Sequence, residues 1–342
     1  MKTIAAFGEI MLRLSPPGSE RLFQTPALSA RFGGGEANVA VSLAILGHRV
    51  RYVSICPANE IGDAAVAALQ AWGVETDHIL RRGKRLGVYF AERGSNQRAG
   101  KVIYDRGHSG LAEAAAGDVH WDAALAGIDW FHTTGITPAL SEGAAELTAQ
   151  AIRTAREKGI MVSLDLNFRS KLWNYGRTAP EVMAEIMPYV DLAVGNEEDC
   201  QKSLGMEIDA DVESGSLPAA AYEKLTAALL DRYPNLRLAA ITLRESRSAD
   251  CNVWSAVLRS RKGFYRGPRY DITDIVDRIG SGDAFAAGLI HGLDALGDEE
   301  QALAFAVAAS CLKHTLPGDF NLFTEREVLA LMAGEKSGRI KR

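Results

Sequence analysis

Short apolar runs alternate with amphipathic stretches along most of the 342-residue chain. IAAFG at 4–8 and RYVSIC at 51–56 read as buried strands. DWFHTTG, MVSLDLN, DLAVGN and LAAITL read as further core strands. Between them the period changes. GGGEANVAVSLAILG at 33–47 opens on glycines and continues with Val39, Leu43 and Leu46 at helical spacing, and GDAAVAALQAWG at 62–73 is a helix closed by glycine. Further helices are expected near 141–158, 180–188 and 218–232. Strands rich in Val, Ile and Leu, separated by helices, predict an α/β fold: a mostly parallel central sheet with helices on both faces.

Residues 12–32 and 86–106 break that rhythm, being poor in helical pattern and rich in β-formers. GSNQRAG lies between the two halves of the second stretch as a hairpin connection. The expectation is a small antiparallel sheet projecting from the main domain. It can serve as a lid, as a dimer surface, or as a plain β excursion with no moving part. The implied division is a main unit of residues 1–11, 33–85 and 107–334, a β lid of 12–32 and 86–106, and a basic tail of 335–342. Residues 205–218 are the least regular and read as a surface loop.

Composition narrows the partners. A net charge of -5 leaves no basic stripe for nucleic acid and no polybasic attraction to a membrane. The tail GRIKR reads as a solvated end. Four scattered cysteines, Cys56, Cys200, Cys251 and Cys311, form no CxxC pair, which points to a reducing compartment. Glu9 and Arg13 interrupt the N-terminal apolar stretch too early for a signal peptide, and no apolar run approaches the ~20 residues of a membrane span. A soluble cytoplasmic protein is expected.

The chemistry is concentrated at strand ends and glycine turns. Ligands of open α/β sheets bind beyond the carboxyl ends of the strands. Asn167 and Arg169 after MVSLDL, Asn196 after DLAV and Arg244 after AITL should therefore meet in one crevice. In DRIGSGDAFAAG, Gly280, Ser281 and Gly282 precede a helical run, and free N–H groups at a helix start welcome an anion. Asp283 stands in the first turn of that helix. It can face an acceptor hydroxyl as a general base of ordinary acidity, or simply cap the helix. GGGEAN at 33–38 is a second glycine-rich helix entry, with Asn38 placed to hydrogen-bond a polyol. Neither stretch is a dinucleotide fingerprint, and the chain holds no P-loop, GxSxG or HExxH pattern.

Taken together, GGGEAN at 33–38 and DRIGSGD at 277–283 resemble the GGGxxN and DxxGxGD signatures of the ribokinase-like (PfkB) carbohydrate kinases, in the same order and at a similar distance. The resemblance covers essentially the whole chain. It implies a large α/β domain with a β-sheet lid, ATP and Mg²⁺ as cofactors, and transfer of a phosphoryl group to a sugar hydroxyl. Gly280, Ser281 and Gly282 are then the anion hole, Asp283 the base, and Gly34, Gly35 and Asn38 sugar contacts.

A narrower likeness is to the members of that family acting on the sugar acid 2-keto-3-deoxygluconate. It rests on Tyr89, Tyr104, Arg106 and Arg169, and on LKHTLPGDFN at 312–321 with Asp319 as a late substrate contact. Guanidinium groups and tyrosine hydroxyls suit a carboxylate. The alternatives are a surface ion pair of Arg106 with Asp105 or another acid, a phosphate or structural contact for Arg169, and packing for the tyrosines. A neutral ketohexose, another sugar acid, or a non-catalytic sugar or nucleotide sensor stay open as readings.

The nucleotide side departs from the family pattern. TLRESRSADCN at 242–252 has no glycine where members carry a glycine-rich turn, leaving Thr242, Arg244 and Ser246 as nucleotide contacts beside Asn167, Asn196, Gly280 and Gly282. The family's Asn-x-x-Glu is NEED at 196–199, which puts Asp199 in the position associated with magnesium through water. The same four residues also read as a helix start with Asn196 as N-cap. Lys313 and His314 follow the ALAFAVAASC helix, near adenine or merely at a favourable helix end. The five tryptophans read as packing.

Overall fold

The computed structural model describes residues 1–206 and 219–335. Most of the 205–218 segment and the basic tail lie outside the described residues.

Two sheets organise the molecule. The strands of the large sheet are β1 (Thr3–Phe7), β4 (Arg49–Cys56), β5 (Ile79–Arg81), β8 (Trp130–Thr134), β9 (Met161–Asp165), β10 (Leu192–Gly195), β11 (Leu238–Ser246), β12 (Asn252–Ser260), β13 (Phe264–Arg266) and β14 (Tyr270–Ile272). Their order is β13-β12-β11-β10-β9-β8-β1-β4-β5, with β14 paired to β12. Every pairing from β5 to β11 is parallel, whereas β12, β13 and β14 pair antiparallel at one edge. The buried aliphatic runs at the sheet centre match helices on both faces.

Those helices are α1 (Gly35–Ile45), α2 (Glu60–Gln70), α3 (Trp121–Ala124), α4 (Glu142–Glu157), α5 (Ala179–Ile186), α6 (Glu197–Leu204), α7 (Ala219–Arg232), α8 (Ser281–Ala295), α9 (Glu299–Lys313) and α10 (Glu325–Met332). Two apolar layers result. Leu43 of α1, Phe285 and Leu289 of α8 and Phe305 of α9 bury one face of the sheet. Leu147 and Ile152 of α4, Met183 of α5 and Leu229 of α7 bury the other. Gly288 and Gly292 let α8 lie directly on α9, because an added Cβ would press on Ala306 and Ala302.

The small sheet has the order β3-β2-β6-β7, with β2 (Met11–Ser15), β3 (Ser29–Gly33), β6 (Gly87–Glu92) and β7 (Lys101–Asp105). It is mixed, not wholly antiparallel, because β2 pairs parallel with β6. β2 and β6 each leave the main sheet in the same direction, after β1 and β5 respectively, so they enter side by side. The β6–β7 connection at 93–100 is latched to the turn between β11 and β12. Ala249 N–H donates to Asn96 O (2.7 Å), and Asn96 N–H donates to the Asp250 carboxylate (2.6 Å).

Candidate active site

A cavity of about 740 Å³ lies at the carboxyl ends of β1, β8, β9, β10 and β11, roofed by β6 and β7. All the strand-end and glycine-turn residues singled out above line it, together with Tyr89, Tyr104, Arg106 and Asp319. Their connections differ from the expectations in several places.

Two helix starts meet on its floor. α1 begins after Gly34, where an added Cβ would collide with Glu9 O, and α8 begins after Gly280. Gly280 is required twice: its φ is +85° and a Cβ there would strike Asp319 O. Ala284 N–H makes the first backward bond of α8, to Gly280 O (2.9 Å). The N–H groups of Gly282 and Asp283 precede it in the first turn. Ser281 N–H turns to Arg278 O (3.3 Å), so of the three groups expected in the anion hole it is the one engaged by backbone. Gly282 has ordinary φ and no protein atom within 4 Å of its added Cβ. Nothing in the protein requires glycine there. The room it leaves belongs to the cavity.

Asp283 is buried, and its acidity is not ordinary. Burial pushes its pKa up to about 7, against a hydrogen bond from Asn38 that favours the ionised form. Asn38 Nδ2 donates to Asp283 Oδ2 at 2.6 Å, and Asn38 Oδ1 accepts from Gly34 N–H at 3.3 Å. The amide expected to hold a polyol is thus bound to the carboxylate and to its own helix start. Glu36, overlooked at the sequence level, pins α1 to the end of β8: Oε1 accepts from Thr134 N (3.1 Å), Thr134 Oγ1 (2.8 Å) and Thr137 Oγ1 (2.6 Å). The glutamate within GGGEAN was the available signal.

The lid side carries a second surprise. Arg106 is neither exposed nor paired with Asp105. It is buried against Glu9, with Nε donating to Glu9 Oε2 at 2.8 Å, while Asp105 bonds Arg85 (2.8 Å). Tyr89 is buried with its hydroxyl on the Asp319 carboxylate, whereas Tyr104 is 43% exposed over the cavity. Asp319 also takes Arg13 Nη1 at 2.5 Å, and Arg13 Nη2 reaches Asp277 at 2.7 Å. Burial pulls the Arg13 guanidinium down, but Asp319 and Asp277 outweigh it and hold it above its usual value. Sequence reading missed Arg13 because its partners lie about 300 residues away along the chain.

The far side holds the remaining acids. Asn196 caps α6, accepting Asp199 N–H (2.8 Å), and Asp199 returns the favour to Asn196 N–H (3.0 Å), so the helix-start reading describes this geometry. Asp199 also accepts Phe168 N–H at 2.8 Å. Burial raises the pKa of Asp199. Asp165 is raised well above the usual range by burial and then by the Asp199 and Asp283 charges. Asn167, at φ +34°, turns its amide to Asp165 (3.3 Å), and exposed Arg169 projects beside these acids. Thr242 Oγ1 donates to Gly195 O (3.3 Å), while Arg244 and Ser246 stay exposed along the rim. Trp254, expected only to pack, also lines the cavity. His314 packs against Trp254 and bonds Ser310 O (2.8 Å), in line with a structural part.

A helix start open to the cavity at Gly282, next to a buried carboxylate whose pKa is pushed up to about 7, fits a kinase with a ribokinase-like fold. A 2-dehydro-3-deoxygluconokinase from Thermotoga maritima has this architecture, with a TM-score of 0.92 and 44% identity over 97% of this chain and 98% of its own. The sequence profile of the pfkB family carbohydrate kinases matches residues 1–324, and the chain belongs to that family. A 2-dehydro-3-deoxygalactonokinase from Haloferax volcanii is 34% identical over 339 residues, covering 98% of each chain. An ATP-bound fructokinase from Xylella fastidiosa shares the fold at 23% identity and a TM-score of 0.77, covering 97% of this chain and 98% of its own. Among the described residues no helix is long and apolar enough to cross a membrane.

Proposed function

We propose that this protein phosphorylates the terminal hydroxyl of a 2-keto-3-deoxy sugar acid, 2-keto-3-deoxygluconate foremost, with ATP as donor. The observation that carries the reading is Asp283. It is a buried carboxylate with a pKa raised to about 7, beside the open space at Gly282 and inside a cavity that Arg106, Arg169 and Tyr104 also line. Relatives named for 2-dehydro-3-deoxy sugar acids support the acceptor class.

In this reading Asp283 takes the proton of the acceptor hydroxyl as its oxygen bonds to the γ-phosphorus. The bond from that phosphorus to the β,γ-bridging oxygen breaks, and ADP leaves with the electron pair. The N–H groups of Gly282 and Asp283 face the charge gathering on the transferred group. Arg169 and Tyr104 hold the sugar carboxylate.

Magnesium would arrive with the nucleotide. Among the described residues no cluster of acids, histidines or cysteines is built to hold a metal alone. Glu197 on the cavity wall has a buried Oε2 without a hydrogen-bond partner, and Asp165 and Asp199 lie nearby. Such a set suits a cation that keeps its waters. The small sheet, residues 12–32 and 86–106, acts as the lid over the unit formed by 1–11, 33–85 and 107–334.

One observation favours a neutral acceptor instead: Glu9 already balances Arg106. ADP release measured with ATP, Mg²⁺ and a panel of keto-deoxy acids and ketohexoses separates the two. A sugar acid should have the highest kcat/KM. Arg169→Ala should then lower kcat/KM at least about tenfold for the acid and little for fructose. Preference for fructose, or an Arg169→Ala variant indifferent to the acid, overturns the reading.

A further inference from the structure

Behind the phosphate-binding turn lies a wall that the proposed chemistry does not use. It is made by the end of α9 and the residues after it, folded against the start of the 277–283 turn. His314 O accepts Val276 N–H (2.8 Å) and Asp277 N–H (3.3 Å), and Gly318 N–H donates to the Asp277 carboxylate (3.0 Å). Asp277 in turn accepts Ile279 N–H (3.1 Å), and Asp319 O abuts Gly280. The turn that faces the anion therefore rests on two carboxylates, the buried Asp319 and the partly buried Asp277.

That is an awkward foundation. Two negative charges directly behind an anion-binding turn would repel the phosphoryl group it is meant to receive. Arg13 bridges both acids but brings a single positive charge. A second cation, Lys313, stands in the same wall. It is fully buried at the last turn of α9, and its ammonium donates to Leu316 O at 3.3 Å. Burial lowers its pKa, while Asp277 and Asp319 act first among the charges that oppose this; Asp283 acts in the same sense and Arg13 against. A buried ammonium is costly unless it has acidic neighbours. A residue serving only to fill this place could be methionine or leucine.

We propose that Lys313 is a positioning residue for phosphoryl transfer, the built-in counter-cation that brings the Asp277–Asp319–Arg13 wall to neutrality so that the 280–283 turn accepts a phosphate. This rests on the kinase reading of the cavity, yet it concerns the phosphate side and not the sugar. It predicts an asymmetric defect. Lys313→Met keeps the length and bulk of the side chain and removes its charge. Lys313→Gln removes the charge while keeping a hydrogen-bond donor.

Both variants should lower kcat/KM for ATP about tenfold or more, the size expected for loss of one unit charge in the interior, with KM for the sugar held within about twofold. In Lys313→Ala, ammonium or methylammonium chloride should restore part of kcat relative to sodium chloride at equal ionic strength. The wild-type protein should not respond. Calorimetric titration with ATP reads the same effect without any acceptor, so a wrong sugar assignment leaves this test intact. Unfolding curves identify variants that are simply unfolded, and Lys313→Gln carries the comparison if Lys313→Ala does not fold. ATP affinity and turnover like wild type in folded Lys313→Gln or Lys313→Met overturn the proposal. So does an equal loss toward both substrates, which is the mark of general structural damage.

Discussion

Asp283 shows how far burial can change a side chain's part. In water a carboxylate is a weak base at neutral pH, being fully ionised with little appetite for a proton. Enclosed between two helix starts, it titrates near 7, where general-base catalysis is most effective. With Asp283 as the proposed base the ionised form is the active one, so kcat/KM should climb with pH and level off above about 7. Asn38→Ala removes the hydrogen bond that favours ionisation and should move that limb to higher pH. The linkage runs the other way for stability. The folded state holds the Asp283 proton more tightly than the unfolded chain, so Asp283 favours folding at low pH and this contribution is lost as pH rises through 7. Asp283→Asn should therefore abolish turnover yet raise the melting temperature at pH 8, and raise it less at pH 5, where only part of the contribution has been lost. A variant less stable than wild type at pH 8 would show that the charged carboxylate is better accommodated than its burial implies.

At the scale of single elements, the start of α8 separates two glycines with opposite duties. Gly280 sits at φ +85° against Asp319 O and serves the backbone; Gly282 has ordinary φ and open space beside it. Gly280→Ala should cost folding stability and activity together. Gly282→Ala should leave the melting temperature unchanged or higher, since alanine gains about 0.5–1 kcal/mol over glycine in a helix. Its methyl group would nevertheless enter the space where the proposed reading seats the phosphate, so kcat/KM for ATP should fall by about a hundredfold or more. Thermal unfolding and kinetics on the same two preparations decide this. Activity near wild type in Gly282→Ala would mean that the phosphate passes elsewhere.

At the scale of the molecule, the β6–β7 connection is latched to the turn between β11 and β12 at the edge of the large sheet. Asp250 accepts Asn96 N–H at 2.6 Å and faces Arg93 at 3.6 Å, and Ala249 N–H binds Asn96 O. The roof of the cavity is thus tied to the glycine-free turn between β11 and β12. Asp250→Ala removes a partly exposed interaction worth about 1 kcal/mol, which is several-fold in an equilibrium. Hydrogen exchange at 93–100 should quicken and KM for the sugar should rise several-fold, with kcat little altered. Unchanged exchange in that segment would show that Asp250 does not hold the hairpin, which then rests on its own strands and on Arg93 at Ile275 O.

Much of this was legible along the chain. Apolar runs and helical spacing disclosed the alternating strands and helices, because burial on both faces of a parallel sheet demands nearly continuous aliphatic strands. The two glycine motifs located the helix starts, since glycine so placed before a helix has few other uses. Tertiary structure alone decided the electrostatics. That Asn38 serves Asp283, that Glu9 neutralises Arg106, and that Arg13 bridges Asp277 and Asp319 depend on partners many residues apart along the chain. No local pattern encodes such pairings. Nor does a sequence state the dielectric around a carboxylate, which is set by everything packed against it. Residue types and spacing determined what chemistry was available to this protein; enclosure in the fold decided which groups carry charge, and toward what.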